Sequence, residues 1–329
     1  MRIHLAPMEG VVNARMRALL TGIGGIDRCV TEFVRVSDQL LPPRVFYRLC
    51  PELNHHGLTP SGIPVYLQLL GSDPVLMAEN AQRAAELGAP GIDTNFGCPA
   101  KCVNRHRGGS ILLEEPQLLH DIVASMRHAV PKHIPVTAKI RLGYQDASLL
   151  TDISDALVSA GADEITIHAR TREDGYKPPA YWQHIAPLRQ RHKLSIVANG
   201  EVWNADDYRQ CRIQSNCDDV MIGRGLLARP DLARQIKSRH QGDDYQALAW
   251  FEVLALLQIM FEDSVATCQA RHVGGPIKQW LGYLRRHYPE AEQLFTQIKR
   301  LTGIAELRLA LANQLETQKL RTTARIQAA

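Results

Sequence analysis

A cysteine sits in the turn Asn95-Phe96-Gly97-Cys98-Pro99, where a glycine before it and a proline after it hold the backbone tightly. A thiol placed this way can act as a nucleophile, a metal ligand or a general acid. Cys98 and Cys102 have CxxxC spacing without a second pair or a convincing histidine partner, which argues against a metal site. No motif supports a Ser/His/Asp-type triad, so a positioned proton donor is the chemical role that remains. Cys29, Cys50, Cys211, Cys217 and Cys268 read as inert core thiols.

Other polar residues recur where apolar segments end. Gln68 follows Val65-Tyr66-Leu67 and can both donate to and accept from the polar edge of a pyrimidine-like ring. Lys139 and Arg141 close one segment, and His168 and Arg170 close the next. A cation such as Lys139 beside a flavin ring would stabilise the negative charge that builds up on reduction. Taken singly, Lys139 could snorkel to solvent and His168 could be a satisfied core imidazole. Convergence with several other polar segment ends favours a site. Asn199-Gly200-Glu201 and Gly223-Arg224-Gly225 add bare backbone N–H groups and one fixed positive charge, the makings of a phosphate cradle.

What must position these residues is a repeated β-then-α pattern. Eight short apolar runs, at 3–8, 28–33, 65–70, 91–95, 135–141, 164–168, 194–199 and 219–222, read as parallel strands buried on both faces. Between them, 74–87, 116–130, 148–160 and 204–211 read as amphipathic helices, with Pro116 at a helix start and Asn204 at an N-cap. Eight such units over about 240 residues fit a (β/α)8 TIM barrel, whose chemistry is built at the C-terminal strand ends and whose phosphate sites follow the last two strands. A doubly wound open sheet competes, because strand count alone does not show closure. Beyond Gln241-Gly242-Asp243-Asp244 the pattern becomes helical at 245–266, 276–287, 290–301 and 304–319. The expected division is therefore a catalytic α/β barrel (1–242), a small all-helical domain (243–318) and a mobile basic tail (319–329).

Composition narrows the function class. The chain has 329 residues, 45% hydrophobic and 22% charged, which excludes extensive disorder. No run approaches the ~18 apolar residues of a membrane span. No apolar run follows the N-terminal charge, so no signal peptide is expected. Seven cysteines without framework spacing suggest reduced thiols in the cytoplasm. Residues 264–329 carry ten Lys/Arg against four acids, a local charge of +6 within a total of +4. A basic helical segment on a near-neutral body suggests a polyanionic partner, and a solvated basic helix face is the bland alternative.

The strand-end motifs together are similar to those of the tRNA-dihydrouridine synthase family. They are Ala6-Pro7-Met8-Glu9-Gly10, Thr31-Glu32-Phe33, Gln68-Leu69-Leu70-Gly71, Asn95-Phe96-Gly97-Cys98-Pro99, Lys139-Ile140-Arg141, Ile167-His168-Ala169-Arg170-Thr171, Ala198-Asn199-Gly200-Glu201 and Met221-Ile222-Gly223-Arg224-Gly225. The Asn-x-Gly-Cys-Pro motif is the specific one; Ala-Pro-Met and Gly-Arg-Gly are shared with other flavin barrels. The match covers about residues 1–240. The segments 31–42 and 277–281 resemble the bacterial branch that acts on position 16 of the tRNA D-loop.

The resemblance implies FMN on the barrel mouth, contacted by Pro7, Met8, Glu9, Gln68, Lys139, His168, Asn199, Gly200 and Glu201, with Gly223 and Arg224 on its phosphate. It implies NADPH as a transient reductant, hydride delivery to uracil C6 and proton delivery from Cys98 to C5. It places Asn95 on the uracil edge. Arg35, Arg141, Tyr176, Arg271, Lys278, Gln279 and Arg286 are the expected tRNA contacts of a monomeric enzyme. A flavin enzyme acting on a free dihydropyrimidine or dihydroorotate would share the site residues but leave the basic helices unexplained.

Overall fold

The computed structural model describes residues 1–327, with side chains through residue 317. Nine strands form one parallel sheet: β1 (Ile3–Leu5), β2 (Arg28–Val30), β3 (Val34–Arg35), β4 (Val65–Leu70), β5 (Ile92–Asn95), β6 (Val136–Arg141), β7 (Glu164–His168), β8 (Ser195–Asn199) and β9 (Val220–Ile222). Pairing runs β2-β1-β9-β8-β7-β6-β5-β4, and β4 returns to β2 through Cys29↔Val65 and Val30↔Tyr66, which closes the barrel and eliminates the open sheet.

Two of the expected strands end early, for identifiable reasons. The first stops at Leu5 because, after one more bond from Ala6 N to Ile222 O (2.9 Å), Pro7 has no N–H to continue the ladder. The second splits into β2 and β3. Buried Thr31 puts its hydroxyl where a ladder carbonyl belongs and accepts from Gln68 N at 3.0 Å, so the chain leaves the sheet and rejoins β4 at Val34↔Leu69. The helices follow their caps: Asp73 accepts from Leu76 N (2.9 Å) at the head of Pro74–Glu86, and Asn204 accepts from Asp206 N and Asp207 N (both 2.8 Å) ahead of Ala205–Ser215.

Alternation along the strands sends one set of side chains into the barrel. Ala6, Val30, Val197 and Met221 pack in its centre with Tyr66 against them, and the Arg28 guanidinium lies 4.4 Å from the Tyr66 ring. At the N-terminal end of the barrel, Arg28 bonds buried His4 (2.9 Å) and Glu164, while Arg2 reaches Glu164 at 2.9 Å. Polar groups at the opposite end form the candidate site.

The chain divides into two compact units, Met1–Gly223 and Arg224–Ala329. The helices Arg224–Ala228 and Leu232–Gln241 group with the C-terminal ones. Within the second unit, Trp280 donates to Leu227 O at 3.0 Å, and Asp231 receives the Tyr245 hydroxyl and Leu248 N (2.8 Å). The end expected at 319 is not an end of secondary structure: the last helix, Ile304–Gln327, runs through it, and residues 328–329 lie outside the described residues. Among the described residues no helix is long and apolar enough to cross a membrane.

Candidate active site

β5 delivers the cysteine turn. Asn95, its last residue, accepts with Oδ1 from both Gly97 N and Cys98 N at 2.9 Å, an Asx-type closure that fixes the turn. From the other side, Asn104 Nδ2 (3.0 Å) and Ser110 N (3.1 Å) donate to the Cys98 carbonyl. Gly109 completes the packing: at φ +67° it occupies the left-handed region, and a Cβ there would come within 2.7 Å of Cys98 O. The thiol is half-buried. That burial pushes its pKa up, and Glu9 and Cys102 add to the shift. At neutral pH Sγ therefore keeps its proton, as a general acid requires and a nucleophile or metal ligand does not.

Neighbouring strands bring polar groups beside this turn. Gln68 on β4 is fully buried; its Nε2 donates to Asp93 at 2.6 Å and its Oε1 accepts from Asn95 Nδ2 at 2.8 Å. Lys139 on β6 lies level with Asn95 in the ladder and donates to Asn199 Oδ1 at 3.2 Å, and Asn199 Nδ2 donates to Met221 O at 2.8 Å. Burial, reinforced by the Arg141 charge and offset by Asp93, lowers the Lys139 pKa to about 8. His168 ends β7, with Nε2 3.3 Å from Arg170 Nη1; a guanidinium only donates, so that nitrogen is the acceptor.

Glycine is required next to this histidine. Gly200 has φ +118°, and a Cβ on it would stand 3.0 Å from His168 Cδ2. A Cβ on Gly223 would stand 3.1 Å from Met8 Sδ. Pro7 and Met8 are partly exposed beyond the end of β1, and Glu9 is exposed.

Several expected site residues have partners within the protein. Arg141, expected at the RNA, is 1% exposed and donates to three backbone carbonyls: Gly97 O (2.8 Å), Thr171 O (2.9 Å) and Gly175 O (2.9 Å). It ties the cysteine turn to the loop carrying Tyr176, whose exposed ring lies 5.1 Å from the guanidinium. Glu201, expected at a cofactor, directs its carboxylate to Arg170 and to Trp203 Nε1 (2.8 Å). Lys278 gives its ammonium to Leu301 O at 2.6 Å, the carbonyl end of a neighbouring helical segment in its own unit. Arg35, Arg271, Gln279 and Arg286 are exposed, and Arg224 is the partly exposed first residue of the second unit.

Sequence reasoning gave no site role to two residues that organise the site. Arg170, fully buried, donates to Lys177 O (2.6 Å) and Pro179 O (3.1 Å) as well as to His168 and Glu201, so it builds the loop after β7. Asp93, 2% exposed, accepts from Gln68 and from the Thr137 hydroxyl (2.5 Å), and burial raises its pKa to about 6 against the pull of those two donors. Its signal was present: an acid two residues before Asn95, in the same alternation phase of the strand.

A half-buried thiol beside convergent amides and a cation thus sits at one end of a closed barrel. Residues 4–324 match the sequence model of the dihydrouridine synthase (Dus) family. The chain belongs to the dihydrouridine synthase family. The family match runs through the C-terminal helices, well past the 1–240 covered by the strand-end motifs. A tRNA-dihydrouridine(16) synthase from Pseudomonas putida is 50% identical over 307 residues, 93% of this chain and 95% of its own. One from Shewanella oneidensis is 51% identical over 91% of this chain and 93% of its own, and one from Vibrio cholerae 49% identical over 92% and 93%. Among solved structures, 2-naphthoyl-CoA reductase superposes with a TM-score of 0.56 at 14% identity, covering 74% of this chain and 50% of that one, a likeness of fold alone.

Proposed function

We propose that this dihydrouridine synthase reduces a uridine of the tRNA D-loop, at position 16, to 5,6-dihydrouridine, with FMN as resident cofactor and NADPH as electron donor. The observation that carries the reading is the protonated, half-buried Cys98 thiol in a turn ordered by Asn95, on the same barrel end as Gln68, Lys139 and Asn199. The position follows the relatives named tRNA-dihydrouridine(16) synthase.

The residues present fit FMN. Gly200 and Gly223 carry no side chain where a Cβ would crowd His168 and Met8, and they lie in the loops after the last two barrel strands, where this fold accepts phosphates. Arg224 follows Gly223 directly in the chain and is the proposed phosphate cation. Gln68 and Asn199 each retain an unused amide hydrogen or lone pair for a ring edge. Pro7, Met8 and Glu9 would border the ring. When bound, FMN supplies hydride. Lys139, charged below pH about 8, offers positive charge to an electron-rich ring. Cys98 Sγ holds the proton for uracil C5, and the negative charge that develops on the base as C6 is attacked makes that proton effective.

A stacked base is inaccessible to such a site, so the uridine must be extruded. Exposed Tyr176 offers a flat face for stacking, and Arg141 holds it in place from below. Arg35 in the first unit and Arg271, Gln279 and Arg286 in the second are the proposed phosphate and sugar contacts.

The test is a pair of half-reactions on the yellow holoenzyme. Cys98→Ala should hold FMN and take electrons from NADPH at the parental rate, yet leave position 16 of an unmodified tRNA transcript as uridine. Dihydrouridine formed by that variant at the parental rate would remove Cys98 from the chemistry; dihydrouridine at another position would reject the D-loop 16 assignment.

A further inference from the structure

The hydrogen bonds behind the cysteine turn have a direction, set at one end by the backbone N–H groups of Gly97 and Cys98, which can only donate, and at the other by buried Asp93. Gln68 and Asn95 end in amides, which could each be turned either way round. An ionised carboxylate can only accept. Asp93 therefore compels Gln68 to present Nε2 to it (2.6 Å), which leaves Oε1 facing Asn95. Asn95 must then present Nδ2 to Gln68 (2.8 Å), which turns Oδ1 onto Gly97 N and Cys98 N (both 2.9 Å). Reversing any one amide would set N–H against N–H along this line.

We propose that Asp93 is a positioning residue for uracil reduction: its carboxylate orients Gln68 and Asn95 in sequence and so holds the turn that carries Cys98. The proposal rests on the dihydrouridine synthase reading above and adds to it the group that aligns the acid. Asp93 acts on the turn through Gln68, the expected cofactor ligand that it bonds directly. The charged groups that face it are Arg28 from β2 and Lys139 from β6, and the Thr137 hydroxyl on β6 fixes its second oxygen at 2.5 Å. Both cations favour the ionised form, against the burial that raises its pKa to about 6. Protonated Asp93 can donate, and the Gln68 amide is then held in its orientation from the Asn95 side alone. Uracil reduction should accordingly lose rate as pH falls through about 6.

The experiment compares the parent holoenzyme with Asp93→Asn and Thr137→Val. In Asp93→Asn, FMN should still be bound and still be reduced by NADPH at neutral pH, with the alkaline limb of that reduction moved to lower pH because the Asp93 charge supports protonated Lys139. Reoxidation of the reduced enzyme by tRNA should be about tenfold slower, since a charge-assisted acceptor becomes a neutral amide that can itself turn over. The acid limb near pH 6 should vanish. Iodoacetamide labelling, read by mass spectrometry on the tryptic peptide ending at Lys101, should become faster at Cys98, because the turn is loosened. Thr137→Val removes one donor to the carboxylate and should move the acid limb to higher pH, which keeps the question open to decision if the first variant folds poorly. An acid limb unchanged in both variants, or parental reoxidation and labelling in Asp93→Asn, overturns the positioning role. A parent that accepts electrons from NADPH but leaves tRNA uridine intact overturns the functional reading as well.

Discussion

Arg141→Lys separates two roles for one residue. As a phosphate contact, an exposed lysine would serve nearly as well as arginine, since the charge is retained. As the buried clamp seen here, arginine holds three carbonyls at 2.8, 2.9 and 2.9 Å on two loops at once, and a single ammonium cannot span Gly97 and the Thr171–Gly175 carbonyls together. A hydrogen bond to a charged group is worth roughly 1.5–3 kcal/mol. Losing two of the three should cost about 3 kcal/mol after lysine retains one and the loops relax. For a unit of this size, that corresponds to a melting point lowered by roughly 6–12 °C. The assays are thermal unfolding of the holoenzyme and stopped-flow measurement of its two half-reactions. Flavin reduction by NADPH should survive at temperatures below the transition, while the tRNA half-reaction slows, because Gly97 precedes the acid and Tyr176 loses its support. A variant with parental stability and a parental tRNA half-reaction would refute the clamp and return Arg141 to the RNA surface.

The remaining expectations follow from charge. Lys139 is protonated below pH about 8 because burial and Arg141 lower its pKa, so reduction of the flavin by NADPH should decline as pH rises through about 8. Lys139→Gln should be slow throughout and lack that limb, and a limb that persists in it would assign the titration elsewhere. The same shift has a stability counterpart: between about 8 and 10.5 the unfolded chain binds the extra proton, so stability gains with pH relative to Lys139→Gln across that window, as a denaturation series can show. Arg224→Ala should release FMN more readily, read as flavin fluorescence in a filtrate after dialysis, because a charge-assisted phosphate contact is lost. Equal retention by both proteins would move the phosphate away from Gly223-Arg224.

The residues that could do chemistry were legible in the sequence, because each stands where an apolar run gives way to polar groups: Gln68, Cys98, Lys139, His168, Asn199. So was the alternation of strand and helix, since burial on both faces forces near-continuous apolar runs. Closure was not legible. It depends on β4 returning to β2, and nothing in either run specifies its neighbour. The split of the second strand was hidden for a related reason, because a threonine hydroxyl replaced a ladder carbonyl only once Gln68 N lay opposite.

Charge was the least reliable guide. An arginine reads the same on a solvated loop as in a buried clamp, and Arg141 differs from Arg35 only in what the fold places around its guanidinium. Asp93 shows the converse. An acid in the same alternation phase as Asn95 can be read from the sequence, but its ability to orient two amides and a cysteine turn exists only when β4, β5 and β6 stand side by side. Residue type and period are properties of the chain, and they fixed the fold class and the list of reactive groups. Direction, burial and partnership are properties of the assembled barrel, and they decided which of those groups stand exposed at the strand ends and which hold the others in place.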